Sequence, residues 1–139
     1  MKNSYFQSIE QLKNGQTLAL KDIVDELIFN HQALIPVITQ DIDSKVVLMM
    51  AWMNKDCLEQ TLTTGLMTYW SRSREQIWVK GETSGSYQAL ESMRFDCDGD
   101  AVLCLVKQTG AACHTGRQHC FYLQANPADQ SVSMLSSPP

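Results

Sequence analysis

Residues 87–108 are YQALESMRFDCDGDAVLCLVKQ, two segments of strand length on either side of an acidic turn. Large apolar side chains recur in both segments, as expected for strands that face a core. The turn contains Asp98 and Gly99, and an Asp-Gly pair favours the positive φ angles of a hairpin turn. We therefore predict strands over residues 87–95 and 101–108, joined as an antiparallel hairpin.

Further strands are predicted on the N-terminal side of this hairpin, at residues 34–39, 45–53, 66–70 and 76–79. Thr17 is the expected N-cap of an amphipathic helix that runs to about Ile28. Asn54 and Gly65 have the residue types that begin and end a second helix. The sequence thus predicts an α+β fold, mainly β and pseudo-barrel-like, with a mixed or antiparallel sheet and two or so helices.

Length and composition are those of one globular domain: 139 residues, 44% hydrophobic, 19% charged, with a net charge of −4. We expect an N-terminal helical segment at residues 1–30, the domain at 31–125 and a flexible, Ser/Pro-rich tail at 126–139. The acidic balance argues against a nucleic-acid partner, and no apolar run is long enough to predict a membrane partner. The N-terminus lacks the apolar centre of a signal peptide, which predicts a cytoplasmic protein.

The acidic turn combines three carboxylates with a thiol, at Asp96, Cys97, Asp98 and Asp100. Clustered carboxylate oxygens suit Mg²⁺, whereas a thiolate suits Zn²⁺. The alternative is a solvated hairpin tip in which the cysteine has no role.

Cysteine and histidine are concentrated in residues 113–120, CHTGRQHC. In a chain without an export signal, Cys113 and Cys120 favour metal binding over a disulfide, although buried free thiols remain the alternative. With Cys97 they make three thiolates, the ligand number of a catalytic zinc with one open position. A structural zinc would need a fourth ligand, which His114 or His119 could supply. The other two cysteines, Cys57 and Cys104, lie in apolar surroundings and are predicted to be core residues.

Cationic and hydroxylic side chains gather on two adjacent loops, at Ser71, Arg72, Ser73, Arg74, Lys80, Thr83 and Ser84. Arginine forks and glycine-rich turns bind phosphate, so the group is a candidate substrate site. The alternative is a set of exposed loop charges. Trp70 and Trp78 flank the group and could stack on a base, but alternating strand positions favour a place in the core.

Four motifs together resemble the phosphoribosyl-AMP cyclohydrolase family of L-histidine biosynthesis. They are YWSRSR (69–74), WVKGETSG (78–85), FDCDGD (95–100) and ACHTG followed by CFY (112–116 and 120–122). The resemblance spans roughly residues 34–122, and one departure is Ser86, where many members have histidine.

The resemblance implies a cytoplasmic homodimer with Zn²⁺ at the subunit interface and Mg²⁺ nearby. The implied zinc ligands are Cys97, Cys113 and Cys120, drawn from both chains, and the implied magnesium ligands are Asp96, Asp98 and Asp100. It also implies a hydrolase of amino-acid biosynthesis that acts on 1-(5-phosphoribosyl)-AMP, a small-molecule nucleotide.

The chemistry expected of such a site is opening of the adenine ring. Zinc-activated water would attack C6 and the N1–C6 bond would break, giving phosphoribosyl-formimino-AICAR phosphate. His114 is the predicted base, with Glu82 as the weaker candidate. Trp70 and the two cationic loops would bind substrate. The alternatives are a non-catalytic, zinc-stabilised dimerisation module and a nucleotide deaminase, whose paired H-x-E and P-C-x-x-C signatures are absent from the sequence.

Overall fold

The structure is a computed structural model that describes residues 4–139. Within them the chain forms three helices, α1 (Ser4–Ser8), α2 (Leu20–Glu26) and α3 (Lys55–Thr64). Eight strands accompany them: β1 (Ile35–Asp41), β2 (Val47–Met53), β3 (Thr68–Ser71), β4 (Gln76–Val79), β5 (Gln88–Phe95), β6 (Val102–Gln108), β7 (Leu123–Asn126) and β8 (Ser131–Met134). The first three residues of the predicted N-terminal segment lie outside the described residues.

A four-stranded sheet organises the molecule, with the strand order β2-β1-β6-β5. The central pair β1 and β6 is parallel, and Val37 lies beside Val102, whereas the two outer pairs are antiparallel. Strands β3 and β4 form one separate hairpin, and β7 and β8 form another. The predicted α+β class with a mixed sheet is confirmed, although the described residues contain three helices where two or so were expected.

The hairpin at the acidic turn has the predicted position and direction. Strands β5 and β6 pair from Gln88 opposite Gln108 to Phe95 opposite Val102. Gly99 in the turn has a φ of +70°, and a Cβ at this residue would overlap the ring of Phe6. Helix α1 therefore packs directly on the acidic turn.

Helix α3 begins and ends where its flanking residues predict. The Asn54 side chain accepts a hydrogen bond from the Cys57 nitrogen at 2.8 Å, which contributes about 1 kcal/mol of helix stability. Gly65 adopts the left-handed conformation at φ 78° and ψ 5°. The helix buries Cys57, and strand β6 buries Cys104, so both are core residues as predicted.

The predicted Thr17 cap of the preceding helix is wrong. Helix α2 starts after Ala19, which makes no side-chain cap, and it ends at Glu26 rather than near Ile28. The early end has a tertiary cause, because the Ile28 nitrogen donates to the Gly99 carbonyl at 2.8 Å instead of continuing the helix.

The C-terminal tail contains regular structure that the sequence analysis did not predict. Strand β8 pairs with β7, and the Asn126 amide donates to the Ser131 and Ser133 hydroxyls at 3.1 and 2.7 Å. Flexibility of this segment stays a prediction. None of the helices within residues 4–139 has the length and apolar character needed to span a bilayer.

Candidate active site

An open cavity of about 910 Å³ lies between the β3–β4 hairpin, the loop after β4 and the loop after β6. Most of its walls are hydroxyl, cationic or glycine residues. The lining residues are Ser71, Ser73, Arg74, Trp78, Lys80, Gly81, Thr83, Ser84, Ser86, Ala111, Cys113, His114 and Gly116. The fold thus brings most of the predicted substrate group beside one predicted zinc ligand and the predicted base.

The backbone at Gly81 shapes one wall of this cavity. Gly81 has a φ of +92°, and a Cβ placed there would lie 2.5 Å from the Tyr87 nitrogen. Only glycine fits, because a side chain would meet both an unfavourable conformation and rigid backbone atoms.

We expect Gly81→Ala to destabilise the protein by more than about 2 kcal/mol, because the backbone overlap adds to the strain of a positive φ. Gly65→Ala is the matched control, since Gly65 has a φ of +78° but nothing within 4 Å of its Cβ position. That control should lose about 1 kcal/mol. Urea denaturation measures both values, and equal losses would contradict the claimed overlap.

Residues 113–120, named here the cysteine loop, form a compact turn beside the cavity. The Cys113 nitrogen donates to the Arg117 carbonyl at 3.2 Å, and the Gly116 nitrogen donates to the Cys113 carbonyl at 3.0 Å. At the other end, the Cys120 nitrogen donates to the Leu48 carbonyl of β2 at 2.7 Å. Backbone bonds therefore close the loop at Cys113 and tie it to the sheet at Cys120.

The thiols of Cys113 and Cys120 lie close enough for each to shift the pKa of the other. Burial opposes ionisation of Cys113, but hydrogen bonds from Thr115 and Cys120, with the charge of Arg117, outweigh it and lower its pKa. Burial raises the pKa of Cys120 to about 11, and the adjacent Cys113 also raises it. Cys113 is therefore the thiol of the pair that ionises first.

A buried cation, Lys80, lies next to this thiol pair. Its side chain is 8% exposed, and its ammonium donates to the Ala112 carbonyl at 2.7 Å. Burial lowers the pKa of Lys80, while the negative charges of Cys120 and Cys113 oppose that shift. The Lys80 nitrogen also lies 5.5 Å from the centre of the Trp78 ring. Lys80 thus places a positive charge at the cavity wall, close to the two thiols.

The two candidate bases occupy different positions. His114 is exposed and borders the cavity, whereas Glu82 is exposed and does not border it. The other loop histidine, His119, accepts a hydrogen bond from the Phe121 nitrogen at 3.2 Å through Nδ1. The arrangement favours His114 over Glu82 as the group that meets a bound molecule.

The acidic turn is a tight cluster of carboxylates. The Asp100 nitrogen donates to the Asp96 carboxylate at 3.0 Å. A hydrogen bond with Asp96 raises the pKa of Asp100, and burial and the charges of Asp96 and Asp98 raise it further. Cys97 lies exposed in the same turn. This concentration of negative charge is suited to a cation.

The acidic turn precedes β6 in the chain. The cysteine loop follows β6 and is tied to β2, because the Cys120 nitrogen donates to the Leu48 carbonyl. Among residues 4–139 no three His, Cys, Asp or Glu side chains come together as a metal site. One chain therefore brings Cys113 and Cys120 together but leaves Cys97 apart from them.

Three of the residues predicted to bind substrate or to act as the base do not border the cavity. Trp70 pairs with Ile77 on the opposite face of the β3–β4 hairpin from Tyr69 and Trp78. The Arg72 guanidinium carbon lies 5.2 Å from the centre of the Trp52 ring, and Glu82 is exposed outside the cavity lining. Their roles stay predictions.

Sequence reasoning missed a buried network behind the cavity. The Tyr69 hydroxyl lies 2.7 Å from the Thr39 hydroxyl and donates to the Gln88 side chain at 2.6 Å. Gln88 donates in turn to Gln108 at 2.8 Å, and Gln108 donates to the Ser86 carbonyl at 3.3 Å. Because its members lie on four separate strands and one loop, no local pattern identifies them.

Comparison with known proteins gives one consistent family. A family model described as "Phosphoribosyl-AMP cyclohydrolase" matches residues 49–122. The chain is 48% identical over 133 residues to a phosphoribosyl-AMP cyclohydrolase of Hydrogenovibrio crunogenus, covering 96% of this chain and 89% of the relative. It is 52% identical over 127 residues to the protein of the same name from Alcanivorax borkumensis, covering 91% and 89%.

A third relative, from Roseobacter denitrificans and of the same name, is 56% identical over 98 residues, with coverage of 70% of this chain and 77% of the relative. The resemblance drawn from the four sequence motifs is confirmed, as is the expectation of an enzyme. The chain therefore belongs to the phosphoribosyl-AMP cyclohydrolase family of hydrolases.

Proposed function

We propose that this enzyme opens the adenine ring of 1-(5-phosphoribosyl)-AMP at the N1–C6 bond, in the cytoplasm, as a step of L-histidine biosynthesis. The observation that carries the proposal is that Cys113, which has Cys120 as a neighbour, lines the same cavity as a cationic, hydroxyl-rich wall. A thiol pair is suited to zinc, and the wall is suited to phosphate.

The residues present fit the two metals that the chemistry needs. Cys113 and Cys120 lie close enough to shift each other's pKa, so two soft sulfur ligands are near neighbours. Asp96 and Asp100 are also near neighbours, since the Asp100 nitrogen donates to the Asp96 carboxylate, and their oxygens suit Mg²⁺. When bound, zinc would supply the Lewis acidity that makes a water molecule nucleophilic at neutral pH.

The third thiolate, Cys97, would come from a second copy of the chain. A twofold dimer in which the acidic turn of one copy meets the cysteine loop of the other would bring together the three thiols that one chain leaves ungrouped within residues 4–139. Each dimer would then contain two equivalent zinc sites, each built from both chains.

Substrate binding follows from the charges around the cavity. The substrate has two phosphate monoesters, and the protein has a net charge of −4, so binding needs local cations. Arg74 can bind one phosphate through its planar fork, and the hydroxyls of Thr83 and Ser84 can add hydrogen bonds. The Lys80 ammonium has three donors, of which one binds the Ala112 carbonyl. It also adds positive charge to the cavity wall.

Ring opening is a balanced addition of one water molecule. The water oxygen bonds to C6, the N1–C6 bond breaks, N1 receives a proton, and C6 becomes the carbon of a carboxamide that keeps the amino nitrogen. We assign to His114, which borders the cavity, the role of accepting the proton of the water and returning it to N1.

Protein stripped of metal with EDTA should be inactive, and zinc together with Mg²⁺ should restore turnover. The measurement is the change in ultraviolet absorbance when phosphoribosyl-AMP is added, set beside the zinc content per chain. One zinc per chain without an absorbance change would favour the rival function, a non-catalytic, zinc-stabilised dimerisation module. Release of ammonia would instead indicate a nucleotide deaminase.

A further inference from the structure

The last residues of the chain fold back over the cysteine loop. The Leu135 nitrogen donates to the Tyr122 carbonyl at 2.8 Å, which returns the chain from β8 toward the loop. We name residues 135–139 the C-terminal segment. It lies beyond residue 122, where the match to the family model ends.

Arg117 joins the C-terminal segment to the cysteine loop. Its side chain is only 9% exposed, and Nε donates to the Ser136 carbonyl at 3.1 Å. Its guanidinium carbon lies 3.9 Å from the centre of the Tyr122 ring, a close stacking contact. Because the Arg117 carbonyl accepts from the Cys113 nitrogen, fixing this arginine also fixes the backbone of Cys113.

A second contact meets the loop at the cavity wall. A Cβ at Gly116 would lie 2.6 Å from Cγ of Pro139, so the proline ring packs directly on the glycine backbone. Gly116 also lines the cavity. The C-terminal segment therefore packs against the part of the cysteine loop that lines the cavity.

We propose that Arg117 and the C-terminal segment are positioning elements of the zinc site, which hold the cysteine loop in the conformation that keeps the Cys113 and Cys120 thiols side by side. This inference rests on the proposed zinc chemistry. Neither element contacts the reacting atoms; both act through the loop backbone. Loss of partners that orient metal ligands weakens metal affinity by about 10- to 100-fold.

The test measures zinc affinity by competition with a chromogenic chelator, using the full chain, Arg117→Met and a chain that ends at Leu135. Each change should raise the zinc dissociation constant by at least about tenfold. The two changes combined should raise the dissociation constant by less than the product of the single effects, because both break the bond between Arg117 and Ser136. Tyr122→Ala should behave like Arg117→Met, and Tyr122→Phe should behave like the unchanged chain because it keeps the ring.

Two readouts separate positioning from a general loss of stability. The thiolate-to-metal absorption band of the cobalt(II)-loaded protein should change in the Arg117→Met variant and in the shortened chain. Lys107→Met, which removes an exposed positive charge from β6, is the control and should change neither the band nor the affinity.

Zinc affinities and cobalt spectra equal to those of the unchanged chain would overturn the proposal. So would variants that merely melt at lower temperature while the folded protein binds zinc normally. If the unchanged chain itself bound no zinc, the proposed function would fall as well, which distinguishes the two failures.

Discussion

Replacing Cys113 with alanine is expected to remove both zinc and turnover. Cys113 is the thiol of the pair whose pKa is lowered, and it lines the cavity. Without it, Cys120 alone cannot hold zinc on this chain, and the reaction loses its activated water. Metal catalysis of this kind is worth several kcal/mol, so kcat/KM should fall by at least about a thousandfold.

The matched control for this experiment is Cys57→Ala. Cys57 is buried in α3, where it packs in the core, and it does not line the cavity. That variant should be less stable but should keep its zinc and its turnover once folded. Zinc content by atomic absorption and the ultraviolet assay give the two readouts. A metal-free Cys113→Ala protein with full activity would contradict the zinc mechanism.

Heterodimers of two inactive variants should recover activity. Cys97→Ala and Cys113→Ala each damage both sites of a homodimer, if every site takes Cys97 from one chain and the cysteine loop from the other. In the heterodimer the two changes fall in the same site, and the second site keeps all three thiols. Doubly tagged, purified heterodimer should therefore show about half of the activity of the unchanged dimer.

Restored activity would be decisive because it requires one site to draw thiols from both chains. Within residues 4–139, Cys97 does not join Cys113 and Cys120 in a metal site of one chain. The control pairs Cys113→Ala with Cys120→Ala; both residues lie on one loop, so neither site is intact and no activity should return. An inactive Cys97/Cys113 heterodimer would argue that all ligands come from one chain, and an active Cys97→Ala homodimer would argue that Cys97 is no ligand.

Elements whose signals are local could be predicted from the sequence. Asn54 and Gly65 delimit α3 because a cap and a left-handed residue act on their own backbone. The Asp98-Gly99 turn likewise gave the β5–β6 hairpin. The end of α2 could not be predicted, because a hydrogen bond to Gly99, about seventy residues later in the chain, decides it.

In the candidate site, too, local signals could be predicted from the sequence and long-range contacts could not. The motifs identified Arg74, Lys80, Cys113 and His114 by residue type, and the fold places all four around one cavity. The sequence analysis grouped Lys80 with cations on exposed loops. In the structure Lys80 is buried, lies near the Trp78 ring and is close to the two thiols. The C-terminal hairpin is held by polar hydrogen bonds of Asn126 rather than by regularly spaced apolar residues. Hydrophobic periodicity therefore could not predict it.

The parallel pairing of β1 with β6 sets the order of events while the chain is synthesised. Strand β1 can pair with β2 early, since only a short turn separates them, but its other edge stays open until residues 102–108 have been made. Such distant pairings slow folding and leave an unpaired edge exposed in the meantime. Completion of the sheet is therefore a late step, and the nascent β1–β2 hairpin is the point at which aggregation competes with folding.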